Sequence, residues 1–235
     1  MTVILQSSLP DAQHGDPSLP GTKPCDADDW LRVDEAYAAQ MAYRTRLLNE
    51  KTDAVLSEHS GTTDTAAEVL AEALHILPKL GFKVGQDQVI CPDGRVVAIN
   101  PAAPLHTLGH LVQEDICILE KQGDEHVMTS AVLCFPANWR LAEKIYRPLT
   151  GIHVPVPEYD ANIARRVQRL FDGVQVGRPL WRFNKLRYLD ADLHQPYKRE
   201  VAGDMPFVRS ERQCILRMPQ SGAVVFTIHT HVVTA

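Results

Sequence analysis

Residues 135–157 decide the fold, and they read F-P-A-N-W-R-L-A-E-K-I-Y-R-P-L-T-G-I-H-V-P-V-P. Pro155 and Pro157 prevent a regular helix directly after His153 and restrict the backbone torsion angles there. We therefore expect His153 on a short, stiff segment between two helical patterns, with apolar neighbours on both sides. An imidazole held in this way suits axial ligation of a large planar cofactor, and it also suits a buried structural turn.

The patterns on both sides of this stretch predict an antiparallel sheet, because pairs of strand-like segments are joined by short turn sequences. The helical stretch after residue 135 and an amphipathic helix from Ile163 to Val174 lie between the second and third strands. The predicted strands are residues 115–121, 127–135, 179–189, 207–218 and 223–233. The predicted fold is therefore α+β, with a PAS-like five-stranded antiparallel sheet and a helical insert covering one face.

The part of the chain before this sheet predicts a helical region and a β-hairpin. Helical patterns run from Asp28 or Asp29 to about residue 50 and from 62 to 77, and Cys91–Gly94 is a turn sequence between two short strands. Residues 1–27 are rich in Ser, Pro, Asp and Gly, which predicts a flexible N-terminal arm. A single domain, 28–235, is expected to follow, with a helical extension (28–113) and a PAS-like core (114–235).

Composition and charge exclude several classes of protein. The 235-residue chain has a net charge of −5, whereas binding nucleic acid through its phosphates needs a basic surface. No apolar run is long enough to span a bilayer, and the N-terminus lacks the pattern of a signal peptide. We expect a cytoplasmic protein without nucleic-acid or membrane partners. The five cysteines are scattered and form no C-x-x-C pair, which argues against a disulfide framework or a zinc knuckle.

Several long motifs follow one another in a specific order. They are V-Q-E-D-I-C-I-L (112–119), C-F-P-A-N-W-R-L-A-E-K-I (134–145), P-L-T-G-I-H-V-P-V-P (148–157), R-F-N (182–184), R-S-E-R-Q-C-I-L-R-M-P (209–219) and V-F-T-I-H-T-H-V (225–232). In these motifs the chain resembles the α subunit of haem-dependent oxidative N-demethylase over roughly residues 28–233. The resemblance implies a PAS-like domain that binds haem b and oxidises a secondary amine with O₂, releasing formaldehyde. It also implies electron transfer from flavin and iron–sulfur reductase partners.

Three segments depart from the pattern of that family. Lys185 follows Asn184 where the family usually has Trp, and Tyr146 stands where the family tends to have Gly. His229–Thr230–His231 replaces an Arg-Thr-Tyr sequence. These differences concern the amine substrate and the partner subunits more than the binding of haem.

The resemblance also implies which residues bind the cofactor. His153 is the expected proximal ligand of the iron, and therefore the metal-binding residue. Arg182, Arg209 and Arg212 are the expected partners of the anionic haem propionates, although a solvated sheet face with cross-strand ion pairs would also explain them. Trp139 is expected to pack against an edge of the porphyrin, unless it belongs to the ordinary core.

Two other groups of residues have the composition of a metal site. His106, His110 and Glu114 are spaced four apart and would share one face of a helix, where they could hold zinc or non-haem iron. His229 and His231 share one face of a strand and form a second candidate pair.

The predicted function is that of a haem b-dependent oxidase or monooxygenase acting on a small amine-containing substrate. O₂ is the expected co-substrate, an external electron donor is required, and a flavin or iron–sulfur reductase is the expected partner. Glu211 and Arg209 are the expected catalytic residues, because a carboxylate can pair with a cationic amine or direct a proton. A homo-oligomer is compatible with the sequence. The alternatives are a PAS sensor that binds haem or another small ligand, and a non-catalytic subunit.

Overall fold

The structure is a computed structural model that describes residues 3–17, 21–153, 161–198 and 203–235. Its helices are α1 (Tyr37–Glu50), α2 (Thr52–Val55), α3 (Thr63–Ile76), α4 (Pro104–Leu111), α5 (Leu141–Lys144), α6 (Leu149–His153) and α7 (Ala161–Gly173). Its strands are β1 (Lys23–Pro24), β2 (Leu56–Glu58), β3 (Lys83–Val84), β4 (Gln88–Ile90), β5 (Val96–Ala98), β6 (Asp115–Gln122), β7 (Glu125–Val132), β8 (Leu180–Tyr188), β9 (Phe207–Arg217) and β10 (Val224–Thr234).

The α+β class is confirmed, but the main sheet of the described residues has seven strands instead of the predicted five. Its order is β1-β8-β9-β10-β6-β7-β2, and all neighbours are antiparallel. The five predicted strands are contiguous in this sheet. The additional strands β1 and β2 lie at its edges and contain only two and three residues, so the sequence carries no periodic signal for them.

The two faces of the main sheet pack against different parts of the chain. In β6, Ile116 and Ile118 belong to the core formed with α1, α3 and α4, whereas Cys117 and Leu119 belong to the core formed with α5–α7. This alternation follows from the period of two in a strand. We call the first side the N-terminal face and the second side the insert face.

Helices α5–α7 cover the apolar half of the insert face, as the sequence predicts. Leu141 of α5, Leu149 of α6 and Phe171 of α7 are buried in one cluster with Ile215 of β9. Arg217 then closes the end of α7, because its guanidinium donates to the carbonyl oxygens of Phe171 and Val174 at 2.7 Å each. A cation at this position satisfies carbonyl groups that have no partner within the helix.

The N-terminal face is covered by the long helices. The predicted helix from residue 62 and the turn at Cys91–Gly94 are observed as α3 and as the β4–β5 hairpin, whose Gly94 has a φ of 85°. The first long helix begins later than predicted, at Tyr37. Asp29 does not cap it, since its carboxylate binds the guanidinium groups of Arg32 and Arg212 instead.

The N-terminal segment packs on the sheet within the described residues, whereas the sequence predicted a flexible arm. Ile4 is buried, and the backbone N–H of Gln6 donates to Val232 O at 2.9 Å. Gln13 is buried as well, and its side-chain oxygen accepts a hydrogen bond from Ser210 Oγ at 2.6 Å. Specific long-range contacts therefore join this segment to β9 and β10, although its composition resembles that of a loop.

Within the described ranges, every helix falls short of the length and apolar character needed to cross a bilayer.

Candidate functional site

The polar residues of β9 divide between the two faces of the sheet. Arg209, Glu211 and Gln213 alternate with Ser210, Arg212 and Cys214, as the sequence pattern indicates. Ile215 continues the first row and is buried with α5–α7, while Cys214 is buried in the core of the N-terminal face. The first row therefore lies on the insert face. Across the strand pair, Arg182 is opposite Gln213 and Asn184 is opposite Glu211, so both β8 residues share that face.

Arg209 is buried and holds several segments together. Its Nε donates to Glu211 Oε1 at 3.0 Å, its Nη1 donates to Leu193 O at 2.8 Å, and its Nη2 donates to Phe135 O. The guanidinium also lies 5.9 Å from the centre of the Tyr188 ring. Arg209 thus links the end of β7 and the loop after β8 to the carboxylate of Glu211.

Glu211 is buried and bound from two sides. Besides Arg209, Asn184 Nδ2 donates to Glu211 Oε2 at 2.9 Å, and Asn184 Oδ1 accepts the backbone N–H of Glu211 at 3.2 Å. Two charge-assisted hydrogen bonds fix the carboxylate on the insert face. Beside it, Thr230 of β10 has a buried hydroxyl without a hydrogen-bond partner among the described residues.

Arg182 is half-buried and has unused hydrogen-bonding capacity. Its Nη1 donates to Gln213 Oε1 at 2.7 Å, but its buried Nε has no partner in the described part of the chain. Burial disfavours the charged guanidinium and lowers its pKa, which the nearby Glu211 carboxylate opposes. A half-buried cation with a free donor is a suitable partner for an anionic group of a ligand.

Arg212 lies on the N-terminal face, away from Arg182 and Arg209. Its Nη2 donates to Asp29 Oδ2 at 2.8 Å, its Nη1 contacts Cys214 Sγ at 2.7 Å, and the guanidinium stands 5.2 Å from the centre of the Trp181 ring. Residues an odd number of positions apart in a strand point to opposite faces. The three predicted cofactor arginines therefore do not converge, and Arg212 belongs to a different environment.

The predicted residues of the helical insert lie near the apolar half of the insert face. Trp139 is half-buried against the cluster around α5–α7, and Lys144 Nζ lies 4.6 Å from the centre of its ring. Burial lowers the pKa of Lys144. His153 is the last residue of α6, but its side chain lies outside the described residues, as do Pro155 and Pro157.

The histidines of β10 meet acidic groups on the N-terminal face. His229 Nδ1 lies 2.8 Å from Glu114 Oε1, and His229 Nε2 lies 3.2 Å from Asp34 Oδ2. Burial opposes the charged imidazole, yet the carboxylates of Glu114 and Asp34 outweigh it and raise the pKa of His229 to about 9. His231 is buried beside His229, with 4.7 Å between the ring centres.

The predicted site of His106, His110 and Glu114 is not assembled. The rings of His106 and His110 are 4.6 Å apart on α4, but the helix ends at Leu111. Glu114 instead accepts the backbone N–H of Arg32 at 2.8 Å and contacts His229. The spacing of four applies only while the helix continues, and here it stops too early.

One of the departures from the family pattern has a direct structural meaning. Tyr146 has a φ of 63°, in the left-handed region that favours glycine. Its hydroxyl lies 3.1 Å from Ser57 Oγ, and its ring packs edge-on against His59 at 5.4 Å. These contacts tie the start of the insert to β2 and offset the unfavourable backbone conformation.

Sequence reasoning gave no site role to the residues that complete both polar groups. Gln213 was recognised in the polar row of β9 and Asn184 in the R-F-N motif, and their strand parity with Arg182 and Glu211 could have assigned both to the group on the insert face. Asp34 could not, because it lies in an irregular segment before α1 and reaches His229 only through tertiary packing.

The model of one protein family matches residues 21–235, which is nearly the whole chain. That family is described as haem-dependent oxidative N-demethylase, alpha subunit-like. The match confirms the resemblance that the sequence motifs indicate, and its description names a dependence on haem. The chain therefore belongs to the haem-dependent oxidative N-demethylase, alpha subunit-like family.

Proposed function

We propose that this chain is the haem-binding subunit of an enzyme that uses O₂ to oxidise a small amine, by N-demethylation or a related oxidation at or next to nitrogen. Membership of the family carries this proposal, because the family description names haem, an oxidative demethylation and an alpha subunit. An external electron donor, such as a flavin or iron–sulfur reductase, is part of the proposal. A haem-binding protein without catalytic activity is the alternative that the experiments below distinguish.

A PAS-like core formed by β6–β10 is also part of the proposal. These five strands are contiguous in the sheet, and α5–α7 lie between the second and third of them along the chain. That is the order of elements from which the sequence predicts a PAS-like domain. In such a domain the ligand lies between the sheet and the helical insert, which is the insert face of this protein.

Two described residues, Arg182 and Trp139, have side chains suited to haem b, and the sequence motif adds His153 to the proposal. The propionates need cationic partners, the ring needs apolar contacts, and the iron needs an axial ligand. Arg182 has a buried Nε without a partner in the described residues, and Trp139 is a half-buried aromatic beside the apolar cluster. In this proposal Arg182 would hold a propionate, Trp139 would pack against the porphyrin and His153 would bind the iron. Arg212 is omitted, because it lies on the other face.

The chain itself would bind and orient the amine. Haem, when bound, supplies the activation of O₂ and the oxidation of the substrate. Glu211 is the residue we assign to the ammonium group of the substrate, since a buried carboxylate stabilises a cation. Arg209 and Asn184 hold both oxygens of Glu211 in place. Arg209 is thus a positioning residue, and three of its N–H groups already bind Glu211 and two backbone carbonyls.

Haem binding is tested first by absorption spectroscopy of protein produced with a haem precursor. We expect a Soret band that shifts on reduction and again with CO. His153→Ala should abolish or strongly weaken haem retention, whereas His75→Ala, an exposed histidine of α3, should not. Protein that stays colourless after incubation with excess haemin contradicts the haem assignment, and an unchanged spectrum of His153→Ala excludes His153 as the ligand.

The assignment of Arg182 has a matched control on the same strand. Arg182→Leu should weaken haem affinity about 10- to 100-fold, the range for losing a hydrogen bond to a charged group. Arg187→Leu changes an exposed residue of β8 and should leave affinity unchanged. Equal affinities for both variants would remove Arg182 from the site.

The proposed oxidation of an amine is tested by measuring O₂ consumption in the presence of a reductant and a panel of secondary methylamines. We expect amine-dependent O₂ consumption with release of formaldehyde, and a raised KM in Glu211→Gln. Haem-loaded protein that consumes no O₂ with any of these amines would favour the non-catalytic alternative.

A further inference from the structure

A second group of ligand-type side chains lies on the N-terminal face, opposite the proposed haem site. It consists of Asp34, in the segment before α1, and of His229 and His231 on β10. The two histidines are two positions apart in a strand and so project from the same face. One ligand atom from each of the three residues lies within 4.8 Å of the other two.

The two distances from Asp34 to the histidines are close to those of a metal site. His229 Nε2 is 3.2 Å from Asp34 Oδ2, and His231 Nε2 is 3.7 Å from the same oxygen. In a tetrahedral zinc site with bonds of about 2.0–2.1 Å, two ligand atoms are separated by about 3.3 Å. Small adjustments of the side chains would therefore place an ion at bonding distance from all three.

Neighbouring residues orient two of the three ligands. Glu114 Oε1 contacts His229 Nδ1 at 2.8 Å, which leaves Nε2 directed at Asp34. A carboxylate that binds the distal nitrogen of a histidine in this way is the usual second layer of a zinc site. Gln113 exchanges two bonds with Asp34, since its Nε2 donates to Oδ1 at 2.8 Å and its Oε1 accepts the backbone N–H at 3.0 Å.

His231 gives an independent reason to expect a ligand. Its side chain is buried, its Nδ1 has no hydrogen-bond partner within the described residues, and its Nε2 is beyond hydrogen-bond distance of Asp34. A buried imidazole nitrogen without a hydrogen bond is costly and calls for an explanation. The unpartnered nitrogen is Nδ1, and a cation bound at Nε2, which faces Asp34, would give the same ring one polar partner.

We propose that Asp34, His229 and His231 bind a divalent transition-metal ion such as Zn²⁺. Two imidazoles and one carboxylate are a ligand set that such ions favour. The three protein ligands leave a fourth position for a water molecule or a small anion. This site is separate from the proposed haem site, because the two groups of residues project from opposite faces of the sheet.

The proposal is tested by titrating chelator-treated, folded full-length protein with Zn²⁺ and Co²⁺. We expect one ion per chain, with a Kd in the micromolar range or below, and the visible absorption bands of tetrahedral Co²⁺. Zn²⁺ should also raise the Tm, since an ion that binds only the native state stabilises it. A Kd above about 100 μM would indicate only weak association and would overturn the proposal.

Variants identify the ligands. His231→Gln should weaken Zn²⁺ binding at least 100-fold, and Glu114→Gln should weaken it about 10-fold by loosening His229. His126→Gln, an equally buried histidine of β7, is the matched control and should bind as the parent protein does. Circular dichroism and Tm show which variants are folded. If folded His231→Gln binds Zn²⁺ like His126→Gln, His231 is not a ligand and the site as proposed does not exist.

Discussion

The two faces of the main sheet use charged residues in different ways. On the N-terminal face, Arg212 and His229 meet carboxylates from distant parts of the chain, Asp29, Asp34 and Glu114. On the insert face, Arg182 binds Gln213, and Glu211 binds Asn184 and Arg209, all within β8 and β9. Arg209 also reaches the carbonyl oxygens of Leu193 and Phe135 outside these strands. The comparison shows that the charged groups of the N-terminal face are paired across long distances in sequence, while those of the insert face are paired mainly between neighbouring strands and leave Arg182 Nε without a partner among the described residues.

The largest expected effect concerns the buried ion pair between α1 and β6. Arg44 Nη1 of α1 lies 2.6 Å from Asp115 Oδ1, both side chains are fully buried, and Asp115 also accepts the backbone N–H groups of Cys134 and Phe135. Asp115→Asn leaves the Arg44 charge unpaired. We expect a loss of about 3–5 kcal/mol in the free energy of unfolding, measured with urea.

The control for that variant is an exposed pair. Asp28→Asn breaks the contact between Asp28 and Lys79, whose side chains are 43% and 59% exposed. It should cost under about 1 kcal/mol. Similar losses for both substitutions would show that the buried pair of Arg44 and Asp115 contributes no more to stability than the exposed pair.

The second prediction contrasts the two faces directly, by replacing one arginine on each. Arg209→Met leaves Glu211 and the carbonyls of Leu193 and Phe135 without their donor, so we expect a loss of about 3 kcal/mol. Arg212→Met should cost about 1 kcal/mol, because Asp29 is 33% exposed and keeps its pairing with Arg32. Urea unfolding of both variants measures the difference, and a larger loss for Arg212→Met would reverse the comparison.

The third prediction concerns how the stability of the helices on the N-terminal face falls at acidic pH. Burial, followed by the nearby His106 and Arg95, lowers the pKa of His110 to about 4. Its ordinary value is 6.5, so the unfolded chain binds a proton at a pH where the folded chain does not. The stability contributed by the neutral imidazole is present above about pH 6.5 and is lost as the pH falls towards 4.

His110→Gln should therefore reduce the slope of unfolding free energy against pH between about 6.5 and 4. His75→Gln, in the same layer but exposed, should retain the slope of the parent protein. If the slope is unchanged in His110→Gln, other groups cause the acid sensitivity.

The smallest expected effect concerns Tyr146, where the insert meets β2. Tyr146→Gly relieves a left-handed conformation that costs about 1–2 kcal/mol in a non-glycine residue, but it removes the contacts with Ser57 and His59. We expect a net change within about 1 kcal/mol in thermal or urea unfolding. A loss well above that value would show that the tyrosine contacts dominate.

The sequence by itself determined the family, the α+β class and the approximate positions of the five long strands. These features depend on local patterns, such as the alternation along β9 and the turn at Cys91–Gly94, and on motifs that run through nearly the whole chain. The same alternation also indicated that Arg209 and Glu211 share a face. Strand periodicity is a property of the backbone, so it can be read without knowledge of the neighbours.

Only the tertiary structure decided which groups meet across the fold. It decided which helices cover the face of Arg212 and which cover the face of Arg209, and it brought Asp34 next to His229 although they are 195 positions apart. It also added β1 and β2 to the sheet edges, where two or three residues pair only because a longer strand is already in place. Such contacts form when distant segments bury apolar surface together, and no local pattern in the sequence records them.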